Sequence, residues 1–146
     1  MLASLLALVT AALFAGAALY VSVAEHPARM QLDDRAALEQ WKPSYARATP
    51  MQAGLALLST PLGLWAWWRT DVVWLLVGAL LIGAVIPLTL VGIMPTNARL
   101  KATAADAAGG ESRALLERWG RLHGLRTLLG LGAVMAYLAA FVRPYT

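Results

Sequence analysis

The chain has 146 residues, 60% of them hydrophobic and 14% charged, with 12 Lys and Arg against 8 Asp and Glu. A soluble domain runs about 45–50% apolar and about 25% charged, so this composition excludes an ordinary water-soluble globule and a disordered chain. There is no cysteine, which removes disulfide scaffolds, zinc ribbons, iron–sulfur sites, thiolate haem and cysteine nucleophiles.

Taken in chain order, residues 2–24 carry no charge, enough to cross a hydrocarbon core that needs about 20 helical residues. The stretch exceeds the apolar core of a signal peptide and lacks a basic start, so it is expected to remain as span one. Glu25-His26-Pro27 ends it, and proline disfavours helical geometry at the residue before it, which predicts a break at His26. Met30, Ala37, Leu38 and Trp41 then fall on one helical stripe. This predicts a short interfacial helix lying on the membrane, ended by Pro43. Thr49-Pro50 reads as the start of span two, residues 50–68. Only a few residues around Thr70 and Asp71 separate it from span three, residues 71–94, so the two form a tight hairpin. Pro61 and Pro87 lie inside spans and are expected to kink them. Residues 104–110 are small and read as a linker. Leu115, Trp119 and Leu122 form a stripe that leads into span four, residues 123–142.

Small residues recur four apart at Ala12 and Gly16, Ala79 and Gly83, and Gly132 and Ala136, a spacing that lets helices approach closely. The two long connections hold ten of the 12 basic residues, including Arg126 at one edge; only Arg69 and Arg143 fall on the other side. Both long connections are therefore expected in the cytoplasm and both termini outside. Trp65, Trp67, Trp68, Trp74, Tyr137, Phe141 and Tyr145 read as an aromatic belt on the outer side. The fold expected is all-α and integral to the membrane: one antiparallel four-helix transmembrane bundle over residues 1–146, in a bacterial inner membrane.

The middle of each span has no ionisable residue, only Thr10, Ser59, Thr60 and Thr89, which counts against proton-coupled transport. Polar groups gather instead at the four cytoplasmic ends: Glu25 and His26, Gln52, Asn97, and His123 with Arg126. An up-down-up-down chain brings those ends to one layer. Trp119, His123, Arg126 and Thr127 share a face, and Tyr45 can reach the same layer. Each has an ordinary alternative: an interfacial Glu25–Arg29 pair, a snorkelling His26, a boundary His123, an interfacial Tyr45. The one two-His-one-carboxylate set is Glu25, His26 and His123, and its two adjacent ligands make an iron site awkward. No metal or other cofactor is assigned. No phosphate loop, nucleophile elbow or nucleic-acid motif is present.

Five pieces form an ordered pattern: Gly16-Ala17-Ala18-Leu19-Tyr20; Glu25-His26-Pro27-Ala28-Arg29; Trp41-Lys42-Pro43-Ser44-Tyr45 with Arg47; Pro95-Thr96-Asn97 with Leu100; and Trp119 with His123 and Arg126. The pattern resembles the anthrone oxygenase-like family of small four-span membrane proteins, across nearly the whole chain. The resemblance implies a four-helix membrane bundle and O2-dependent oxidation of an aromatic anthrone to a quinone.

The resulting expectation is a small membrane oxidoreductase or oxygenase acting on a hydrophobic aromatic, anthrone- or quinone-like molecule at a cytoplasmic-side polar pocket. His26 and His123 are the candidate bases, with Glu25 orienting a histidine. Asn97, Arg126, Trp119 and Tyr45 are the candidate substrate-binding residues. The alternative is a non-enzymatic lipid- or quinone-binding module or accessory subunit, which needs no base. Expected partners are membrane lipid and a hydrophobic small molecule, with no nucleic acid and with homo-oligomerisation left open.

Overall fold

A computed structural model describes residues 1–142. Arg143 and Tyr145, placed above on the outer side, lie outside the described residues. The protein is helical, with no strand among the described residues. Helix α1 runs Leu2–Tyr20 and passes through a π turn, Val21–Glu25, into the short α2, His26–Arg29. A single long helix, α3, follows over Asp34–Thr70. Helix α4, Val73–Pro87, leads through a second π turn, Leu88–Ile93, into α5, Met94–Ala102. A 3-10 turn at Ala105–Ala107 precedes α6, Gly110–Val142.

Three of these rods are long and apolar enough to cross a membrane: Leu2–Arg29, Val73–Ala102 and Gly110–Val142. Helix α3 is less apolar, because its second half carries tryptophans, prolines and hydroxyls. It nevertheless packs along α1 and α4, while α6 packs along the same two helices from the opposite side.

Small residues make the contacts, but not all of the expected ones. Ala7, Ala11, Ala15 and Ala18 form the buried face of α1, whereas Ala12 and Gly16 are exposed and a Cβ on Gly16 would meet nothing within 4 Å. Phe14 sits against Gly130, and Thr60 against Gly83. Tyr137 is not at an interface. It is fully buried, with its ring in the space left by Gly63 and Gly78 and its hydroxyl donating to the Ser59 carbonyl at 3.3 Å. Ser59 in turn donates to the Ala7 carbonyl at 2.9 Å. Mid-depth polarity is thus consumed by bonds between helices at Ser59 and Tyr137 and within them at Thr10, Thr60 and Thr89, as a lipid environment requires.

The prolines behave differently from expectation. Helix α3 runs straight through Pro43 and Pro50, so neither a separate interfacial helix nor a fresh start at Thr49 is seen. The Thr49 hydroxyl bonds back to the Tyr45 carbonyl inside the helix instead of capping one. The stripe Ala37, Leu38 and Trp41 is buried, packed with Leu100, Leu115, Leu116 and Trp119 rather than laid on lipid. Span one does not break at His26 either. Each π turn ends two residues before a proline, Pro27 or Pro95. A proline ring collides with the carbonyl four residues earlier, here Val23 or Val91, and both of these lie in the widened turn. The extra residue relieves the clash and keeps the rod continuous, with His26 N–H bonding to the Val21 carbonyl and Met94 N–H to the Thr89 carbonyl. Helix α3 ends at Asp71, whose φ of 54° takes the left-handed region that Asp tolerates better than most residues.

Glycine substitutions test the packing. Gly78→Ala puts a methyl 2.6 Å from the Tyr137 ring and should cost about 1–3 kcal/mol in detergent unfolding, the usual range for overpacking. Gly16→Ala should leave stability unchanged or raise it slightly.

Candidate functional site

The two π turns, the middle of α3 and the start of the buried part of α6 meet in one layer. There the helices enclose a small cavity of about 30 Å3. Its walls include Trp41, Tyr45, Gln52, Asn97, Trp119, His123 and Arg126, with Arg29 and Ser44 at one side and Thr49 and Thr89 at the other. Of the seven residues expected from the sequence, His123, Asn97, Arg126, Trp119 and Tyr45 line this cavity; His26 and Glu25 do not.

Glu25 faces Arg29. The Arg29 guanidinium is 2% exposed and its Nη2 donates to Glu25 Oε1 at 2.6 Å. Gln40 accepts from Arg29 Nε, and the Ser44 hydroxyl donates to Glu25. The bonds to Gln40 and Ser44 tie this pair to α3, and the same guanidinium stands 5.5 Å from the Trp119 ring centroid. His26 occupies the gap between α2 and α6. Its ring centroid is 5.4 Å from that of Trp119, and it fills the space where a side chain on Gly120 would stand. Glycine at 120 is what lets the imidazole come so close.

His123 is 4% exposed and stacks on Trp119, with centroids 4.8 Å apart. Its Nδ1 lies 3.2 Å from the Ser22 hydroxyl, which lies 2.8 Å from the Thr127 hydroxyl. The Thr127 hydroxyl donates to the carbonyls of Ala18, at 3.1 Å, and His123, at 3.0 Å. Carbonyls only accept, so this chain has one direction. Thr127 gives its proton to a carbonyl, Ser22 gives its proton to Thr127, and His123 Nδ1–H donates to Ser22. The His123 tautomer therefore carries its proton on Nδ1 and leaves Nε2 as a free acceptor.

Arg126 is 8% exposed. Among the described residues no carboxylate pairs with it. Its guanidinium lies 5.1 Å from the Phe14 ring centroid, which offsets little of a buried charge. Among the described residues, four buried side-chain atoms have no hydrogen-bond partner: Trp41 Nε1, Trp119 Nε1, Arg126 Nε and Asn97 Oδ1. All four belong to residues lining this one cavity. Unsatisfied buried polar atoms are rare in native proteins; two of these are indole N–H donors and a third belongs to the unpaired cation itself. The arrangement suits an oxygen-bearing or anionic group.

Sequence reasoning placed Gln52 in this layer but did not single out Trp41, Ser22 and Thr89 as parts of the site. Ser22 had a signal in hindsight, since a π turn ahead of Pro27 changes which residues face α6. Trp41 was assigned to a surface stripe because α3 was expected to end at Pro43.

Among the described residues no group of three or more His, Asp or Glu is placed to hold a metal ion. A family model described as anthrone oxygenase matches residues 41–136, more than half of the chain. No curated protein and no solved structure matches.

Arg29 supplies a direct test of the electrostatics. Glu25→Ala removes its counter-ion and should destabilise the protein by about 3 kcal/mol, the lower end for an uncompensated buried charge. Asp106→Ala, in the exposed linker, should shift the melting temperature by less than the scatter between preparations.

Proposed function

The chain belongs to the anthrone oxygenase family, and on that premise we propose that it is a membrane oxidoreductase that oxidises a hydrophobic aromatic ketone with O2. The observation that carries this reading is the convergence of Trp41, Trp119, Arg126 and Asn97, each with an unpartnered buried atom, on the cavity beside His123. A ligand oxygen would accept from the two indoles and from Arg126, while Asn97 Oδ1, itself an acceptor, calls for a donor such as water.

In this reading the aromatic ketone carries an acidic C–H opposite its carbonyl. His123 Nε2, directly or through one water, takes that proton, and the electron pair moves onto the ketone oxygen as an enolate. Arg126 and the two indole N–H groups hold the negative oxygen. The ring carbon then gives electrons to O2 and forms a hydroperoxide. Loss of the second C–H proton and departure of hydroxide, which is protonated to water, leave a second carbonyl. One CH2 and one O2 become one C=O and one H2O, with the ring carbon oxidised and both oxygen atoms reduced. Ser22 and Thr127 hold His123 in the basic tautomer. His26 and the Glu25–Arg29 pair support Trp119 and do not touch the ligand.

The setting is a four-span antiparallel bundle with both long connections in the cytoplasm. Support for a fourth crossing comes from α3, which bonds to mid-depth α1 through Ser59 and Ala7. A helix wedged between two membrane helices shares their depth. The basic connections support the orientation.

Two experiments test the reading. Purified protein supplied with anthrone should form anthraquinone with one O2 consumed per molecule. His123→Ala should lower the rate at least 100-fold, the smaller end of what a general base contributes, while leaving folding intact. Equal rates in the two proteins would favour a binding module that needs no base. For topology, single cysteines at Ala37 and Ala107 should resist a membrane-impermeant thiol reagent in intact cells, while one at Thr70 should react. The reverse pattern would overturn the orientation.

A further inference from the structure

The polar cavity is too small for the molecule just proposed. One water needs about 10–15 Å3, so about 30 Å3 holds a few small molecules and not a fused-ring ketone. A larger space, about 200 Å3, adjoins it between α3 and α4. Its walls are apolar, with Ala53, Leu57, Ile86 and Leu90 among them. The two spaces share Thr49, Thr89 and Arg126, whereas His123 lines only the polar one.

We propose that the ligand's carbon skeleton lies in this α3–α4 cleft, reached sideways from the hydrocarbon layer, with its oxygen end at Arg126. The inference rests on the membrane-oxidase reading above and changes where the substrate sits. Three observations carry it. The cleft is the adjoining space with room for rings. Its inner end holds a cation that is 8% exposed and whose Nε has no partner. Its outer edge carries Leu57 and Leu90, each 57% exposed, on a surface that faces lipid in the bundle. A flat aromatic ketone dissolves in hydrocarbon, so it would slide in from the bilayer without crossing water. The ligand oxygen then reaches into the small polar cavity beside the indoles of Trp41 and Trp119, and water there carries the proton from the ring edge to His123.

Benzophenone is a suitable probe: an aromatic ketone with one acceptor oxygen, which on near-ultraviolet irradiation inserts into the C–H bonds it touches. The protein would be irradiated with it in phosphatidylcholine nanodiscs and the labelled residues mapped by mass spectrometry. Leu13 and Leu128, exposed by 58% and 66%, report nonspecific labelling from lipid. Benzophenone reacts at its carbonyl, so labelling at Ala56 and Val85, the buried wall of the cleft, should exceed that at Leu13 and Leu128 at least tenfold, and excess anthraquinone should remove the difference. Ala53→Phe, an exposed position at the mouth of the cleft, should remove it too without loss of folded protein. Labelling concentrated on Trp41, Tyr45 or Ala48 would overturn the cleft and leave the polar-pocket reading standing. Labelling at Ala56 and Val85 no greater than at Leu13 and Leu128, and insensitive to anthraquinone, would sink both.

Discussion

A hydroxyl, guanidinium or indole buried in an apolar bundle has only other side chains and backbone carbonyls for partners. Water cannot rescue it in hydrocarbon, and each unmet bond costs free energy. Most of this protein obeys that constraint strictly. Ser59 bonds to Ala7, Tyr137 to Ser59, and Thr10, Thr60 and Thr89 to carbonyls of their own helices. One layer departs from it. Four buried polar atoms lack partners there, and they surround a single cavity. Among the described residues, the buried side-chain atoms without a partner are all in this layer.

The helices reach that layer through two distortions of the same kind. Pro27 and Pro95 each follow a π turn, one at the end of α1 and one at the end of α4. The turns spare the helices a break and rotate what comes after them. Ser22, within the first, meets His123, and Asn97, after the second, faces the cavity. Widened turns of this type recur at functional sites. Charge is arranged as deliberately. Arg29 is neutralised by Glu25, Gln40 and Ser44 contribute to the same cluster, and Arg126 has only an aromatic ring beside it. One buried arginine therefore joins helices, and the other is left free to meet an oxygen.

Much of this was legible in the sequence. Uncharged runs marked the long apolar helices, and the placing of Asn97, His123 and Arg126 at like-sided span ends put them in one layer before any rotation was known. The spacing of Trp119, His123, Arg126 and Thr127 gave their common face. Helix rotation itself was not legible. Glu25 and His26 are neighbours in sequence; the i,i+4 spacing gave the Glu25–Arg29 pair, but nothing local gave the approach of His26 to Gly120. Proline rules misled where tertiary packing outweighed them: Pro43 and Pro50 sit inside α3 because α5 and α6 cover its buried stripe. Tyr137 read as an interfacial aromatic because tyrosine is common there, yet Gly63 and Gly78, far apart in sequence, open a socket for it in the core. Such sockets depend on pairs of distant small residues and leave no local signal.

The central claim is that Trp41 and Trp119 present unpartnered indole N–H groups to a ligand oxygen. The protein has six tryptophans, and nitrogen-15 labelling of their indoles gives each N–H a separate nuclear magnetic resonance signal, assignable by single Trp→Phe substitutions. On titration with anthraquinone, the account predicts that the signals of Trp41 and Trp119 move downfield as their hydrogen bonds form, while those of Trp65, Trp67, Trp68 and Trp74 stay in place. Movement confined to those four outer indoles, or no movement at saturating anthraquinone, would contradict it.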